Sequence, residues 1–490
     1  MVGMAEILDS LKKKAIRGVF TLTGRRVLIK VIDTVGIIYL ARLLSQESFG
    51  IFGIISFVVF TFLSFFSDVG FGAALIQKEN VSDDDLRTTF TVQQLLVTIL
   101  LVVSWLASPW IASFYNLGLQ GIWLVRILSL SLFMTSFKTV PSILLERSLR
   151  FELLVIPEII ETVTYNVIAV FMAYHGYGVW SLVIAVLARA ALGAIALNVI
   201  SPWKIGWRLN RTSVHELLHF GVPYQLNSVL ALIKDNLTPT IIALWYGPAA
   251  VAFVNLAQNI SSRPMELSTI VSRITFPTYS RIQGDKERLK RWIEKSIHLM
   301  SVLYFPAIVG LLVTARPILT YLYADKSDKW LPALPVLLWF LASAIPVMIT
   351  TTYTNAIYAT GHPKVVLSLM VLYTALTWGI GLPLIHLIGY QGIAITVFVI
   401  TYLTYPLVLL ALRQIVRVNT LSNTIRPLIS SAVMGGLVWI FTRTFVHDLL
   451  TLFVAIFLGL LSYSCILYIL DGRHLRDELG NLFRSALARS

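Results

Sequence analysis

Charge is scarce in this sequence. Asp, Glu, Lys and Arg make up 13% of the 490 residues, about half the share of an ordinary soluble domain. That shortage excludes a water-soluble globule. Cysteine is scarcer still. Cys465 is the single one and lies in an apolar run, which excludes a disulfide framework, a CxxC redox motif and a thiolate metal site. Acid is short relative to base, with 25 Asp and Glu against 39 Lys and Arg and a formal net charge of +14. In a membrane protein such a surplus reports topology and contact with anionic lipid before nucleic acid, so no nucleic-acid partner is expected. Long polar connections are also missing on one side. The longest outer segment runs from about Arg316 to Leu331, which leaves no place for an extracytoplasmic catalytic domain, and nothing calls for a cofactor or metal.

What the chain has in abundance is apolar sequence: 57% hydrophobic residues and a mean hydropathy of +0.79. A helix crosses the hydrocarbon with about 20 apolar residues, and apolar runs separated by turn signals give about 14 spans. They fall near 18–43, 50–76, 88–108, 121–140, 154–174 and 178–200, then 221–246, 249–276, 292–315, 332–359, 365–387 and 392–415, with two more at 427–447 and 449–470. The fold class is therefore all-α integral membrane. Residues 1–17 read as an amphipathic basic helix on the cytoplasmic surface rather than a cleavable signal. Two six-helix bundles follow, 18–200 and 221–415, joined by a cytoplasmic linker at 201–220. Two further helices (427–470) and a cytoplasmic tail (471–490) complete the chain. The outer connections hold only Arg42, Arg316, Lys326, Lys329 and Arg443, so the positive-inside rule places both termini in the cytoplasm.

The two bundles read as an internal repeat. Asp33 with Ala41 matches Asp235 with Ala243; Ile76-Gln77 matches Ile282-Gln283; Pro109 in PWIASFY matches Pro317 in PILTYLY; Gly176-Tyr177-Gly178 matches Gly389-Tyr390 with Gly392. The order is the same and the offset grows slowly. An even number of helices per copy inserts both copies the same way up, and the space between bundles is then the natural substrate path.

Ionisable residues inside spans mark the lining, because a charge near the bilayer centre costs about 2.5–3.5 kcal/mol unless it faces a bundle interior or a wet cavity. The first span carries Arg25, Arg26, Lys30 and Asp33, of which Arg26, Lys30 and Asp33 share one helical face. Lys234 and Asp235 lie in the seventh span, and Arg263, Glu266 and Arg273 in the eighth. The excess of cations suits an anion, and guanidinium suits phosphate. Arg26, Lys30, Arg263 and Arg273 are the candidate phosphate contacts. Asp33, Asp235, Glu158 and Glu161 are candidate sites for a coupling ion, proton or sodium; equally, Asp33 and Asp235 neutralise Lys30 and Lys234. Arg126, Lys138 and Arg189 lie near span ends and read as residues that pair or snorkel. Two tempting motifs have simpler explanations. Asp83-Asp84-Asp85 follows Ser82 and reads as a helix start. His215 and His219 have zinc spacing without further ligands and read as a surface helix.

Over nearly its whole length the chain resembles the Wzx-type polysaccharide flippases of the multidrug/oligosaccharidyl-lipid/polysaccharide superfamily, especially colanic-acid exporter-like members. LARLLSQESFGIFG (40–53), SDVGFGAALIQKENVSDDDL (67–86), PWIASFY (109–115), VPSILLERSLRFELL (140–154), GYGVWSLV (176–183), DKW (328–330) and ATGHPKV (359–365) carry the likeness. The resemblance implies two bundles in a V and alternating access, driven by an ion gradient. It implies movement of an undecaprenyl-diphosphate-linked oligosaccharide from the inner to the outer leaflet of the bacterial inner membrane, alongside polysaccharide polymerase machinery. One departure is IKDNLTPTIIALWYG, where Pro239 interrupts the seventh span. Trp378, Tyr373 and Tyr353 are candidates for sugar contact or for ordinary packing. The alternatives are a flippase for a peptidoglycan lipid precursor or a multidrug exporter, the latter favouring a more acidic cavity. A membrane enzyme such as a polymerase or ligase would need a larger outer loop.

Overall fold

The computed structural model describes residues 29–63, 75, 81–148, 150–211, 214, 240–266, 268, 275, 278–280, 282–323 and 328–487. Among these residues all regular structure is helical. Eleven helices are long and apolar enough to cross a membrane, so this is a multi-pass membrane protein. Side chains such as Trp110, Leu119, Val199, Leu387 and Ile469 lie more than 70% exposed, as apolar residues do when lipid is their solvent.

The chain divides into two compact units, Met1–Ala252 and Phe253–Ser490. In the first, α1 (29–43) leads through Ser45, whose hydroxyl caps Ser48 N, into α2 (Gln46–Ser56) and a wider π-helical turn, Phe57–Leu63. The next helix, α3 (Asp83–Phe114), starts at a capping box: Asp85 N donates to Ser82 Oγ (3.2 Å) and Ser82 N to Asp85 Oδ2 (3.0 Å). The acidic triplet is thus a helix start, its carboxylates set against the positive end of the helix dipole. Asp84 also pairs with Arg208 at 2.7 Å. Beyond it come α4 (Gly118–Ser136), α5 (Thr139–Arg147), α6 (Val155–Tyr174) and α7 (Val179–Ile200).

A helical run, α8 (Thr240–Ser262), crosses from one unit to the other. Gly247 has φ +78°, a left-handed conformation that suits glycine, and Pro248 follows with its φ preset for a helix start. The backbone therefore turns there, where the sequence separates its seventh and eighth spans. In the second unit α9 (Lys286–Pro317, continuing as a π-helical turn Ile318–Tyr323) is capped by Asp285, which accepts from Arg288 N at 3.0 Å. It is followed by α10 (Leu334–Ala359), α11 (Pro363–Ile388), α12 (Gly392–Ile415), α13 (Thr420–Phe445) and α14 (Leu449–Leu487).

The order of packing is the same in each unit. In the first, α3 packs on α4, α4 on α7 and α6 on α7; in the second, α9 packs on α10, α10 on α12 and α11 on α12. The matched turns agree as well, with φ +82° at Gly176 and +84° at Gly389. In both units the turn receives the start of the second helix of the repeat: Ser48 Oγ approaches Gly178 in one, and Phe253 packs on Tyr390 in the other. The last two helices add to the second unit through α9, where Met434, Val438, Tyr463 and Leu467 bury against Val302, Val309 and Val313.

Candidate functional site

The first unit holds a polar cluster inside an apolar frame. Leu40 of α1 and Leu44 just beyond its end bury against Ala169 and Ala173 of α6 and Leu182 and Ala185 of α7. This contact turns the polar face of α1 inward and leaves Val31, Val35 and Tyr39 outward, each about half exposed. Asp33 then meets α6, where Asn166 Nδ2 donates to Asp33 Oδ1 at 3.2 Å and to the Thr162 carbonyl at 2.9 Å. Gly36 makes room for this pair, since a Cβ there would lie 1.6 Å from Asn166 Oδ1.

One turn earlier on α6, Glu161 takes two cations. Lys138, at the joint between α4 and α5, places Nζ 2.6 Å from Glu161 Oε1, and Arg189 of α7 places Nε 3.6 Å from Oε2. The Glu161 side chain is 10% exposed, Lys138 23% and Arg189 51%. Gly193, one turn beyond Arg189, opens the pocket for the carboxylate, because a Cβ there would lie 2.1 Å from Oε1. Asn198 fixes the joint by donating to the Phe137 carbonyl at 3.0 Å. Two cations on one carboxylate leave a surplus positive charge, and half-exposed Arg189 makes it reachable by an anion.

The sequence-derived candidates fall out as follows. Lys30 is half-buried on α1, and its carbonyl accepts from Thr34 Oγ1 at 2.7 Å. Glu158 is exposed while Glu161 is buried, so the two carboxylates do not share one environment. Arg263, in the second unit, donates from Nη2 to Asn259 Oδ1 at 2.8 Å and lies 3.6 Å from Glu266. Arg26, Asp235 and Arg273, and the pair His215 and His219, lie outside the described residues. Arg126 behaves as an interface residue, bonding Ser108 Oγ at 2.9 Å and stacking over Trp123. Tyr353 is fully buried with its hydroxyl on Thr420 Oγ1, which makes it a packing residue.

Lys138 and Arg189, read from their place near span ends as residues that pair or snorkel, do pair: both meet Glu161. A signal for them exists in Arg189 and Gly193 at i, i+4: a glycine one turn from a cation leaves the hole that a facing carboxylate fills. Among the described residues no three His, Cys, Asp or Glu side chains gather as a metal site.

Known proteins similar to this chain identify its family and its fold. Residues 39–335 match the family described as polysaccharide biosynthesis protein. An uncharacterized membrane protein in the cps region of Klebsiella pneumoniae is 28% identical over 335 residues, covering 67% of each chain. The lipopolysaccharide biosynthesis protein WzxC of Escherichia coli (strain K12) is 24% identical over 331 residues, again 67% of each. Among solved structures, the lipid II flippase MurJ in an inward closed conformation has a TM-score of 0.77 at 16% identity, covering 93% of this chain and 99% of that one. At that identity the likeness is one of fold. The family match spans more than half of the sequence, and the chain belongs to the polysaccharide biosynthesis protein family.

Proposed function

We propose that the protein moves an undecaprenyl-diphosphate-linked oligosaccharide from the inner to the outer leaflet of the bacterial cytoplasmic membrane, for exopolysaccharide, capsule or O-antigen synthesis. The supporting observation is the carboxylate shared by two cations, Lys138–Glu161–Arg189, within a multi-pass apolar protein of this family. A diphosphate is a compact anion of high charge, and a cationic site with apolar walls strengthens its hydrogen bonds. In this reading the diphosphate meets Lys138 and Arg189 together with Arg26 and Lys30 in the first half of the chain, and Arg263 and Arg273 in the second. The helices work as two bundles in a V, with the prenyl tail between them and both termini in the cytoplasm. Asp33, Asp235, Glu158 and Glu161 exchange a coupling proton or sodium ion, with Glu161 trading its cations for the ion as the cargo binds. Polysaccharide polymerase machinery receives the product.

A peptidoglycan lipid precursor offers the same diphosphate, so the assay must separate the two cargoes. A cationic drug does not suit a site with surplus positive charge.

The test uses the purified protein in liposomes carrying a fluorescent undecaprenyl-diphosphate oligosaccharide or lipid II. Outer-leaflet exposure is followed for wild type, Lys30→Ala, Arg189→Ala and Arg263→Ala. Translocation of the oligosaccharide that falls about tenfold or more in the variants supports the reading. Movement of lipid II alone, or of neither lipid under proton and sodium gradients, defeats it.

A further inference from the structure

The second unit buries a charged cluster that the transport reading does not use. Asp471 of α14 is 2% exposed and His298 of α9 is 3% exposed. Asp471 Oδ1 lies 2.6 Å from Arg426 Nη1 of α13, and Oδ2 lies 3.1 Å from His298 Nε2. The second ring nitrogen, Nδ1, stands 3.1 Å from the carbonyl oxygen of Asn423, also on α13.

Both oxygens facing the ring can only accept. A neutral imidazole has one protonated nitrogen and one bare lone pair, so either neutral tautomer sets a lone pair against an oxygen at 3.1 Å. The imidazolium donates or presents positive charge on both sides. The Nε2–Oδ2 contact is an ion pair rather than a well-directed hydrogen bond, so its attraction depends on the ring being charged.

We propose that His298 and Asp471 form a proton-binding site: His298 takes up a proton as imidazolium and thereby ties α9 to α13 and α14 together. Loss of the proton leaves Arg426–Asp471 in place and removes the charge attraction between His298 and Asp471, one of the contacts that join α9 to α14. Arg426 is 54% exposed at its side chain and connects the buried carboxylate to the surface, which supplies a route for exchange. The surrounding ionisable groups are otherwise engaged. Glu294, one turn before His298, accepts from Asn419 N at 2.7 Å, Tyr463 of α14 donates to the Val302 carbonyl at 2.7 Å, and Tyr353 of α10 bonds Thr420. Lys295 precedes the site on α9. The inference does not depend on which cargo the protein carries.

The test uses full-length protein with nitrogen-labelled histidine in lipid nanodiscs, where His298→Gln identifies one of the eight histidines. Both His298 ring nitrogens should carry protons at the acid end of a pH series, and one proton should be lost toward the alkaline end. In Asp471→Asn the transition should move to lower pH. In Arg426→Met, which keeps the carboxylate and removes its other cation, it should move to higher pH. A second readout is the distance between spin labels on Cys465, the exposed cysteine of α14, and a cysteine introduced at Leu299 of α9. It should change with pH in the wild type and stay fixed in His298→Gln. A His298 ring that stays a single neutral tautomer throughout, a transition indifferent to both Asp471→Asn and Arg426→Met, or a distance constant with pH in the wild type overturns the proposal.

Discussion

Lys138 Nζ lies 2.6 Å from Glu161 Oε1, tying the α4–α5 joint to α6. Removing one partner of a buried ion pair costs about 3–5 kcal/mol, because the other charge stays behind without compensation. Glu161→Gln should approach the lower end of that range, since half-exposed Arg189 retains some solvent. Lys138→Met should cost less, because Arg189 still faces the carboxylate. The double variant Lys138→Met, Glu161→Gln should lose less than the two single losses together, because each single change leaves the other partner buried without its counterpart. Thermal unfolding of the four proteins in detergent measures the cycle, and strictly additive losses would show that the two side chains do not act as a pair.

Glycine positions give a sharper contrast. A Cβ on Gly50 of α2 would lie 1.8 Å from the Pro248 carbonyl oxygen and 2.2 Å from its carbon, which are backbone atoms at the Gly247 turn and cannot swing aside. Gly50→Ala should therefore separate α2 from that turn and destabilise by about 1–3 kcal/mol or more. At Gly379, inside α11, a Cβ meets nothing within 4 Å, so Gly379→Ala should be neutral or add up to about 1 kcal/mol. Gly193→Ala belongs between them, because the atom it meets is the end of the Glu161 side chain. Melting temperatures of the three variants should rank in that order, and equal losses would contradict the packing described.

Much of the helical layout is legible in the sequence because glycine and proline punctuate it. The expected span 392–415 coincides with α12 (Gly392–Ile415), and 178–200 with α7 (Val179–Ile200), since each helix follows a turn with a positive-φ glycine. Where no such residue stands, the boundary was not visible. The expected span 121–140 divides at Phe137–Lys138, through a turn in which Lys138 N donates to the Thr135 carbonyl. The chain after residue 470 reads as a cytoplasmic tail, and its helical form was not legible: α14 continues to Leu487 and buries Asp471. Composition cannot report that burial, because the partners that permit it, His298 and Arg426, come from α9 and α13. The same holds at Glu161, whose two cations come from other stretches of chain, Lys138 from the α4–α5 joint and Arg189 from α7.

Lys329 lies between the spans, over the Trp330 ring. Burial lowers its pKa from the ordinary value of 10.5, so the folded state prefers the neutral amine more than the unfolded state does. Between the lowered and ordinary values the unfolded chain binds more protons, and stability must rise with pH. Below that window the penalty is constant. Lys329→Met should remove the rise. The effect is small because the group is only half-buried, but comparing melting temperatures of wild type and variant from about pH 8 to about pH 10.5 isolates it. A wild-type curve that falls relative to the variant would give the wrong sign.

The surplus charge at Glu161 makes a claim about anions that needs no transport assay. Inorganic pyrophosphate carries the charge of the proposed cargo without its lipid or sugar, and a ligand that binds only the folded state raises stability by RT ln(1 + [L]/Kd). Ten times the dissociation constant gives about 1.4 kcal/mol, enough to read as a shift in melting temperature. The shift should exceed that from sulfate at equal ionic strength and shrink as salt is added, because part of the attraction is screened. Arg189→Ala should reduce it, since this is the half-exposed cation. Lys138→Met should reduce it less, because that ammonium is already bound to the carboxylate at 2.6 Å. Glu161→Gln separates binding from stability: it should lower the melting temperature without ligand and enlarge the increment that pyrophosphate gives, because both cations are then released toward the anion. An increment that vanishes in Glu161→Gln would mean that the carboxylate builds the site, and that Lys138 and Arg189 serve the fold alone.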